Sequence, residues 1–540
     1  MNASRLLVIG IAVSLSLISS VGTRASWLVN LPPGRIGSTA PVESLVFTHG
    51  VASSEATSSS ALLWTRADQP AILTAQVSAD PGFASLVFQQ DVTITAETDY
   101  TARVLAELLE ADHTYYYRWL SGDVSSPTGA FRTAPGETAT IPVRFAYSGD
   151  SDGTRVLGQP FFNDFEALDA ARGDAPDFFV YLGDTVYSDS PLRFGGAAET
   201  LAEYRATYRV NRQIAALPDL LAATSIYAIW DDHEVYNDFA GQTVDPDRYA
   251  FGRQAFLEYF PIQDDDLPVD AECAGNPLFR IFSWGKDVEI IILDGRSCRS
   301  ASAASACNLL SLGISDPAPT LPAAERQALG LPAVPPAGCL EAIREPNRTM
   351  LGGAQKELFK EALLASQAKF KFVISAVPIQ AFYLLPFDRW EGYAAEREEI
   401  LGFIQEQGIE NVIFLAADTH ANLVNEVFVD AFSDPEPVAS EFVTGPIATA
   451  TLEDTIKLLP IPGALQKVND LFDSIGMDCR DLDAYSYGLV EADPLLDQVT
   501  VTLKDDAGAP LVNQGDPAVE CRQIIQIGGE HNYLPLTHKQ

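Results

Sequence analysis

Four apolar runs in the sequence end in acidic tips: FAYSGD at Asp150, FFVYLGD at Asp184, IYAIWDDHE at Asp231 and Asp232, and VIFLAADTH at Asp418 and His420. Short continuous hydrophobic runs of this kind read as strands buried in an open α/β sheet, whose ligands sit beyond the carboxyl ends of the strands. Carboxylates repeated at that level have the layout of a two-cation site. Asp184 follows Gly183, whose missing side chain lets backbone and ligand approach closely. A carboxylate there can bridge two cations, and Tyr187 on the same loop can turn its phenol toward one of them. A coordinated phenol ionises far below its free pKa of about 10, and the phenolate is a hard ligand suited to a trivalent cation. In WDDHE the adjacent Asp231 and Asp232 point apart, so one can ligate while the other orients a neighbour. His233 offers an imidazole for proton transfer or phosphate contact, and Asn237 a neutral oxygen suited to a hard cation such as Ca²⁺. Asp418 and His420 can reach the same cavity. SGDSDG supplies Asp150 and Asp152 and resembles the start of a calcium loop, but loop position 12 counted from Asp150 is Phe161, not the Glu of an EF-hand.

These tips need a scaffold. From Val143 onward the strands VRFAY, DFFVYLG, SIYAIW, VEIIILD, FKFVISAV and NVIFLAA alternate with helical stretches, including AAETLAEYRATYRVNRQIAAL and GGAQKELFKEALLAS. The alternation predicts a layered α/β domain over about residues 140–535. Residues 40–134 instead carry the short β-rich runs SALLWTR, ILTAQVS, DVTITA and TYYYRWL between turn residues, the pattern of a small β-sandwich. APGE at 134–137 reads as the linker. Residues 298–346 form an Ala/Pro/Ser-rich segment with three of the six cysteines, which reads as a surface insertion tied down by disulfides and without an evident catalytic residue. Beyond Val490, DQVTVTLKD reads as an alternating strand, and the sequence ends in GGEHNYLPL and a short polar remnant.

Composition narrows the partners. With 73 acidic against 35 basic residues and a formal charge of −38, adhesion to nucleic acid or to an anionic membrane is disfavoured and metal cations are favoured. The 540 residues, 47% of them hydrophobic, allow two or three domains with substantial cores. Arg5, an apolar stretch from Leu6 to Val21 and small residues through Ala25 resemble a Sec-type secretory signal over residues 1–25, with a membrane-anchored start as the alternative, and no later run is long and apolar enough to span a membrane. Six cysteines suit an exported protein with disulfides, whose pairing spacing alone does not give. With no Cys-x-x-Cys pair and six His, a zinc knuckle is a poor reading.

The motifs together resemble the alkaline phosphatase D (PhoD) family of metallophosphoesterases. FTHGVASSEATSSSALLWTR and TYYYRWLSGDVSSPTGAFRTAP match the opening and exit of the family's N-terminal sandwich. FFVYLGDTVYSD, IWDDHEVYND, MLGGAQKE, DRWEGYAAEREEIL, AADTH and EFVTGPI match its core, so the resemblance runs from about residue 44 to 447. It implies a layered calcineurin-like metallophosphoesterase core, α/β with β-sheets flanked by helices, behind a fibronectin-III-like sandwich. It also implies Fe³⁺ and Ca²⁺, with Asp184 as bridging ligand, Tyr187 as tyrosinate on the iron, and Asp418, His420 and either Asp232 or Asn237 completing the set. Well-known members carry a Cys ligand after the first core strand; this chain has FAYSGDSDG there, so Asp150 is the expected replacement, and a harder ligand admits other hard divalent metals. Many members also use a twin-arginine leader, where this chain has only Arg5.

The function this implies is hydrolysis of small-molecule phosphomonoesters and phosphodiesters, with an alkaline optimum, by a hydroxide activated between two cations. His233 is the expected catalytic group for the phosphoryl oxygens or the leaving alkoxide, Asp231 supports it, and Arg155 and Arg389 are candidate substrate clamps. A phospholipase-like or nucleotide phosphodiesterase of the same fold is the alternative. A non-enzymatic, calcium-binding extracellular protein is a third reading.

Overall fold

The computed structural model describes residues 45–264, 267–309, 314–458 and 462–527. The expected signal over residues 1–25 and the GGEHNYLPL end lie outside them.

Two sheets make the core. The first has nine strands, in the order Arg522–Gln526, Gln498–Asp505, Ser486–Asp493, Val143–Ser148, Phe178–Leu182, Ser225–Ile229, Phe47–Ser54, Ala61–Ala67 and Thr101–Ala106. The second has seven, in the order Arg280–Trp284, Val288–Ile292, Phe370–Ile374, Val412–Ala416, Asp434–Val443, Asn422–Asp430 and Cys479–Asp481. The six core strands expected from the sequence are all present, three parallel neighbours in each sheet. The four acidic tips therefore come from two sheets: Asp150, Asp184 and the Asp231–Asp232 pair from the first, Asp418 from the second.

Aromatic side chains press the sheets together. Phe145 meets Phe372 edge-on with centroids 5.0 Å apart, Phe178 lies 4.5 Å from Trp284, and the Trp284 indole donates to the Tyr227 hydroxyl at 2.7 Å. Burying rings on both inner faces is the main source of stability in such a sandwich. It also fixes the height of one set of strand ends against the other.

The expected β-sandwich is built differently from an insulated module. A five-stranded sheet of residues 71–132 faces the strands Phe47–Ser54, Ala61–Ala67 and Thr101–Ala106, but these belong to the nine-stranded sheet. Phe47–Ser54 runs parallel to Ser225–Ile229, pairing Ser53 with Ser225. Ala134 and Pro135 of the expected linker are buried, and Ala134 donates to the Thr57 carbonyl. Just after the joining strand, fully buried Glu55 approaches Arg280 Nε at 2.6 Å and accepts from the Gln263 amide at 2.7 Å. The Glu55–Arg280 approach is an ion contact rather than an aligned hydrogen bond.

Three expectations change in detail. Residues 197–217 do not form one helix: a capping box at Thr200 and Glu203 starts Leu201–Asn211, and a second helix spans Ala216–Ala223. Pro218 is tolerated because it falls in the first turn of the second helix, where no intrahelical partner for its nitrogen is needed. Gln498–Asp505 is not exposed on alternate residues, since both its neighbours are strands and Val499 through Thr502 are all buried. Segment 298–346 is not mere surface: it holds a fully buried Arg326–Asp316 pair at 2.6 Å, and Cys307–Cys339 closes it while Cys298 pairs back to Cys273. The third disulfide is Cys479–Cys521. No helix of the described residues is long and apolar enough to cross a membrane.

Glu55→Ala leaves the Arg280 guanidinium buried without its countercharge, which costs about 3–5 kcal/mol. The expected outcome is one cooperative thermal transition at lower temperature. Adding Arg280→Met should recover most of the loss in a double-mutant cycle.

Candidate metal centre

The strand ends bring the expected residues together. Ligand atoms of Asp150, Asp184 and His420 lie within 4.8 Å of one another, as do those of Asp184, Asp232 and His233. Asp184 is common to both groups. Asp418 joins from the second sheet: its amide donates to Asp150 Oδ1 at 3.2 Å, while its carboxylate lies with those of Asp231 and Asp388. Tyr187 reaches His420 Nε2 with its hydroxyl at 3.0 Å and stacks on His233, centroids 4.1 Å apart.

Cross-ties hold this arrangement against backbone strain. Asp150, Asp184, Asp418 and His420 all have left-handed backbones, with φ of 64°, 47°, 63° and 53°. Such conformations cost about 1–3 kcal/mol each and persist only where the surroundings impose them. Glu234, the last residue of DDHE, supplies part of that constraint. It accepts from Thr185 N and Oγ1 at 2.6 Å each and from the Asp231 amide at 2.9 Å, locking the loop of Asp184 to the loop of Asp232. Asn211, at the end of its helix, donates to the carbonyls of Ser151 and Thr185 at 2.8 and 2.9 Å, tying the first loop to the second. Asp152 serves as a brace, accepting from Ser190 Oγ at 2.7 Å and from the Thr154 amide. A Cβ on Gly183 would stand 2.6 Å from Asp231 Cβ, so only glycine allows these two loops to touch.

The electrostatics call for positive charge. Burial, reinforced by neighbouring Asp231 and Asp232, raises the carboxyls of Asp150 and Asp184 well above the ordinary range. Burial and the charges of Asp231 and Asp388 do the same to Asp418. Burial and the Asp184 and Asp150 carboxylates push the Tyr187 phenol up, and burial pulls His420 down to about 4. Burial opposes protonation of His233, but Asp189, Asp232 and Asp184 outweigh it and hold its pKa high. Two buried oxygens, Asp150 Oδ2 and Asp232 Oδ1, have no hydrogen-bond partner. Buried acceptors left this way, amid carboxylates, imidazole and phenol, fit hard cations with oxygen and nitrogen ligands.

The remaining expected residues stand apart or take other parts. Asn237 is exposed, and its amide donates to Asp189 Oδ2 at 2.6 Å. Both Asp231 oxygens bond to Arg296, at 2.6 and 2.8 Å, so Asp231 faces a guanidinium rather than His233. Arg155 donates to the Gly158 carbonyl within its own hairpin. Arg389 donates to the Leu384 carbonyl and lies 5.2 Å over Phe382. Residues not singled out from the sequence matter more. Asp189 accepts from His233 Nδ1 at 2.5 Å, leaving Nε2 4.0 Å from both Asp184 and Asp232. Asp189 stands in the quoted motif GDTVYSD, and Asp388 immediately precedes Arg389. Arg296 and Arg299 follow the strand VEIIILD, where the same question of what the strand end carries would have found them. Arg299 also lies within the segment read as having no site residue.

Gly445, in the loop after Asp434–Val443, closes the centre from the other side. A Cβ there would fall 2.5 Å from Asp150 Oδ2, and the backbone has φ +116°. Gly445→Ala should therefore weaken metal binding about 10–100-fold, the range for disturbing groups that orient ligands. Elemental analysis after desalting checks it, with circular dichroism unchanged.

A model of the "PhoD-like phosphatase" family matches residues 154–499, and one of the "PhoD-like phosphatase, N-terminal domain" matches 34–135. The first begins just after Asp150 and Asp152. A curated relative, "Alkaline phosphatase D" of Bacillus subtilis (strain 168), is 28% identical over 464 residues, covering 78% of this chain and 70% of its own. Among solved structures, "Structure of PhoD" superposes with a TM-score of 0.69 at 23% identity, covering 90% of this chain and 92% of the other. A purple acid phosphatase from yellow lupin (Lupinus luteus) seeds gives 0.55 at 10% identity, covering 89% and 75%. These matches set aside the reading as a non-enzymatic calcium-binding protein. The chain belongs to the PhoD-like phosphatase family and is a metal-dependent phosphoric ester hydrolase.

Proposed function

We propose that the chain is an exported phosphoesterase that cleaves small phosphomonoesters and phosphodiesters at a centre of Fe³⁺ and Ca²⁺, or another pair of hard cations. Asp150, Asp184, Tyr187, Asp232, Asp418 and His420 would hold the cations. The observation that carries this reading is Asp184, common to two ligand groups. Bound cations lower the pKa of water toward about 7 and neutralise charge on the transferring phosphoryl group. Asp150 in place of the family's Cys keeps the donor set wholly hard, and a phenolate from Tyr187 favours a trivalent ion. The three disulfides favour an oxidising compartment.

The chain's own residues complete the chemistry. Asp189 fixes the proton on His233 Nδ1, so Nε2 faces the Asp184–Asp232 side of the centre, where a phosphoryl oxygen or leaving alkoxide would lie. Stacking on Tyr187 holds the imidazole plane. The neighbouring carboxylates keep the ring doubly protonated, so His233 gives its Nε2 proton to the leaving oxygen while Asp189 holds Nδ1–H and positions it.

One observation favours the phospholipase-like alternative. Leu157 and Phe194 are fully exposed, on the segments that follow Asp152 and Asp189. Exposed apolar side chains on segments that leave the centre suit a substrate with an apolar tail. Comparing kcat/KM for a soluble diester and for dispersed phosphatidylcholine distinguishes the two substrate classes.

Asp184→Ala should reduce turnover of a chromogenic phosphoester to background with unchanged circular dichroism, and chelation should do the same; undiminished turnover would remove the proposal. His233→Ala should lower kcat by about 10²–10⁴ for an alkyl ester and much less for a p-nitrophenyl ester, whose leaving group needs no proton. Equal losses on both esters would contradict the role given to His233.

A further inference from the structure

Two more groups of carboxylates border the centre. Oxygens of Asp231, Asp388 and Asp418 lie within 4.8 Å of one another, as do those of Asp232, Asp238 and Asp388. By spacing alone each would pass for a further cation site. Arg296, fully buried, stands among them.

Its guanidinium is saturated. Nε donates to Asp231 Oδ1 at 2.6 Å, and Nη2 to Asp231 Oδ2 at 2.8 Å and Asp388 Oδ2 at 2.6 Å. Nη1 donates to Asp388 Oδ1 at 2.9 Å and to the Phe239 carbonyl at 3.4 Å. All the N–H groups of an arginine are thereby used. Asp232 Oδ2 lies a further 3.6 Å from Nη2.

Both sides of this contact are braced. Buried Asp294 accepts from the amides of Arg296 and Ser297 at 2.9 and 3.0 Å, fixing the turn that launches Arg296. Arg299 donates to Asp388 Oδ1 at 2.6 Å and to the Asp388 carbonyl at 3.0 Å. The carboxylates thus divide into two kinds. Asp150 Oδ2 and Asp232 Oδ1 are buried and without partners, whereas every oxygen of Asp231 and Asp388 accepts from a guanidinium.

We infer that Arg296 is a built-in counter-cation: bridging Asp231 and Asp388, and with Arg299 supplying the second charge on Asp388, it balances these carboxylates so that they wall the centre instead of ligating, and it bars a further metal ion from the acidic cluster. This rests on the metal-centre reading above. A buried guanidinium cannot leave its carboxylates without a large desolvation cost, so its charge is a permanent part of the cavity wall. Arg296 is accordingly a positioning residue, acting through Asp231, Asp232 and Asp388.

Metal ions per chain, counted by elemental analysis after saturation with Ca²⁺ and desalting, test the inference. Arg296→Met, of similar reach but neutral, should take up an additional Ca²⁺ ion per chain. Arg296→Lys should keep the wild-type count, and so should Asp388→Asn, because Asp388 is not a ligand. An unchanged count in a folded Arg296→Met, or loss of an ion in Asp388→Asn, would overturn it. If Arg296→Met does not fold, the counts of Asp388→Asn and Arg296→Lys decide. A wild-type protein that holds no metal and turns over no phosphoester would instead sink the underlying reading, so the two failures are told apart.

Discussion

Like charges that must share a buried space govern this molecule. Asp150, Asp184, Asp231, Asp232, Asp388 and Asp418 converge from both sheets, and burial makes their mutual repulsion expensive. The guanidiniums of Arg296 and Arg299 resolve it on one flank, and on the other the metal cations proposed above would do so. Much of the surrounding architecture exists to oppose that repulsion. The Glu234 and Asn211 cross-ties and the Gly183 contact keep the loops from springing apart and hold the left-handed backbones in place.

The face-to-face sheets give these loops a common floor. A side chain at a strand end is only as well placed as the strand, and the Phe145, Phe178, Trp284 and Phe372 contacts leave the strands little freedom to slide. Candidate ligand atoms are thereby held within 4.8 Å of one another, with the ordering cost met by the aromatic core.

What could be read in the sequence was what local pattern encodes. A hydrophobic run ending in Asp is visible as letters, so Asp150, Asp184, Asp232 and Asp418 could be found one strand at a time. Arg296 and Asp388 could not be paired that way, because 92 residues separate two letters that mean little apart. The division of DDHE was equally hidden: Asp231 turns to a guanidinium, Asp232 toward Asp184 and His233, and Glu234 to Thr185 and the Asp231 amide, which depends on loop geometry rather than residue type. The sandwich strands were legible from their alternation, yet not their union with the catalytic sheet, since pairing of Ser53 with Ser225 is a long-range choice. The break between Asn211 and Ala216 was not legible in the same way: the helical pattern runs on to Leu217, and Pro218 marks the first turn of a second helix rather than the end of the first.

The nine-stranded sheet interleaves both ends of the chain. Strands from residues 47–106 flank those of 143–229, and the opposite edge is made of residues 486–526. During synthesis the first strand has no neighbour from the catalytic core until Ser225 emerges, and the far edge waits for Gln526. Contacts of such span delay completion of this sheet until Gln526 has been made. Until then the early strands keep unpaired edges, a condition that the export proposed above would tolerate.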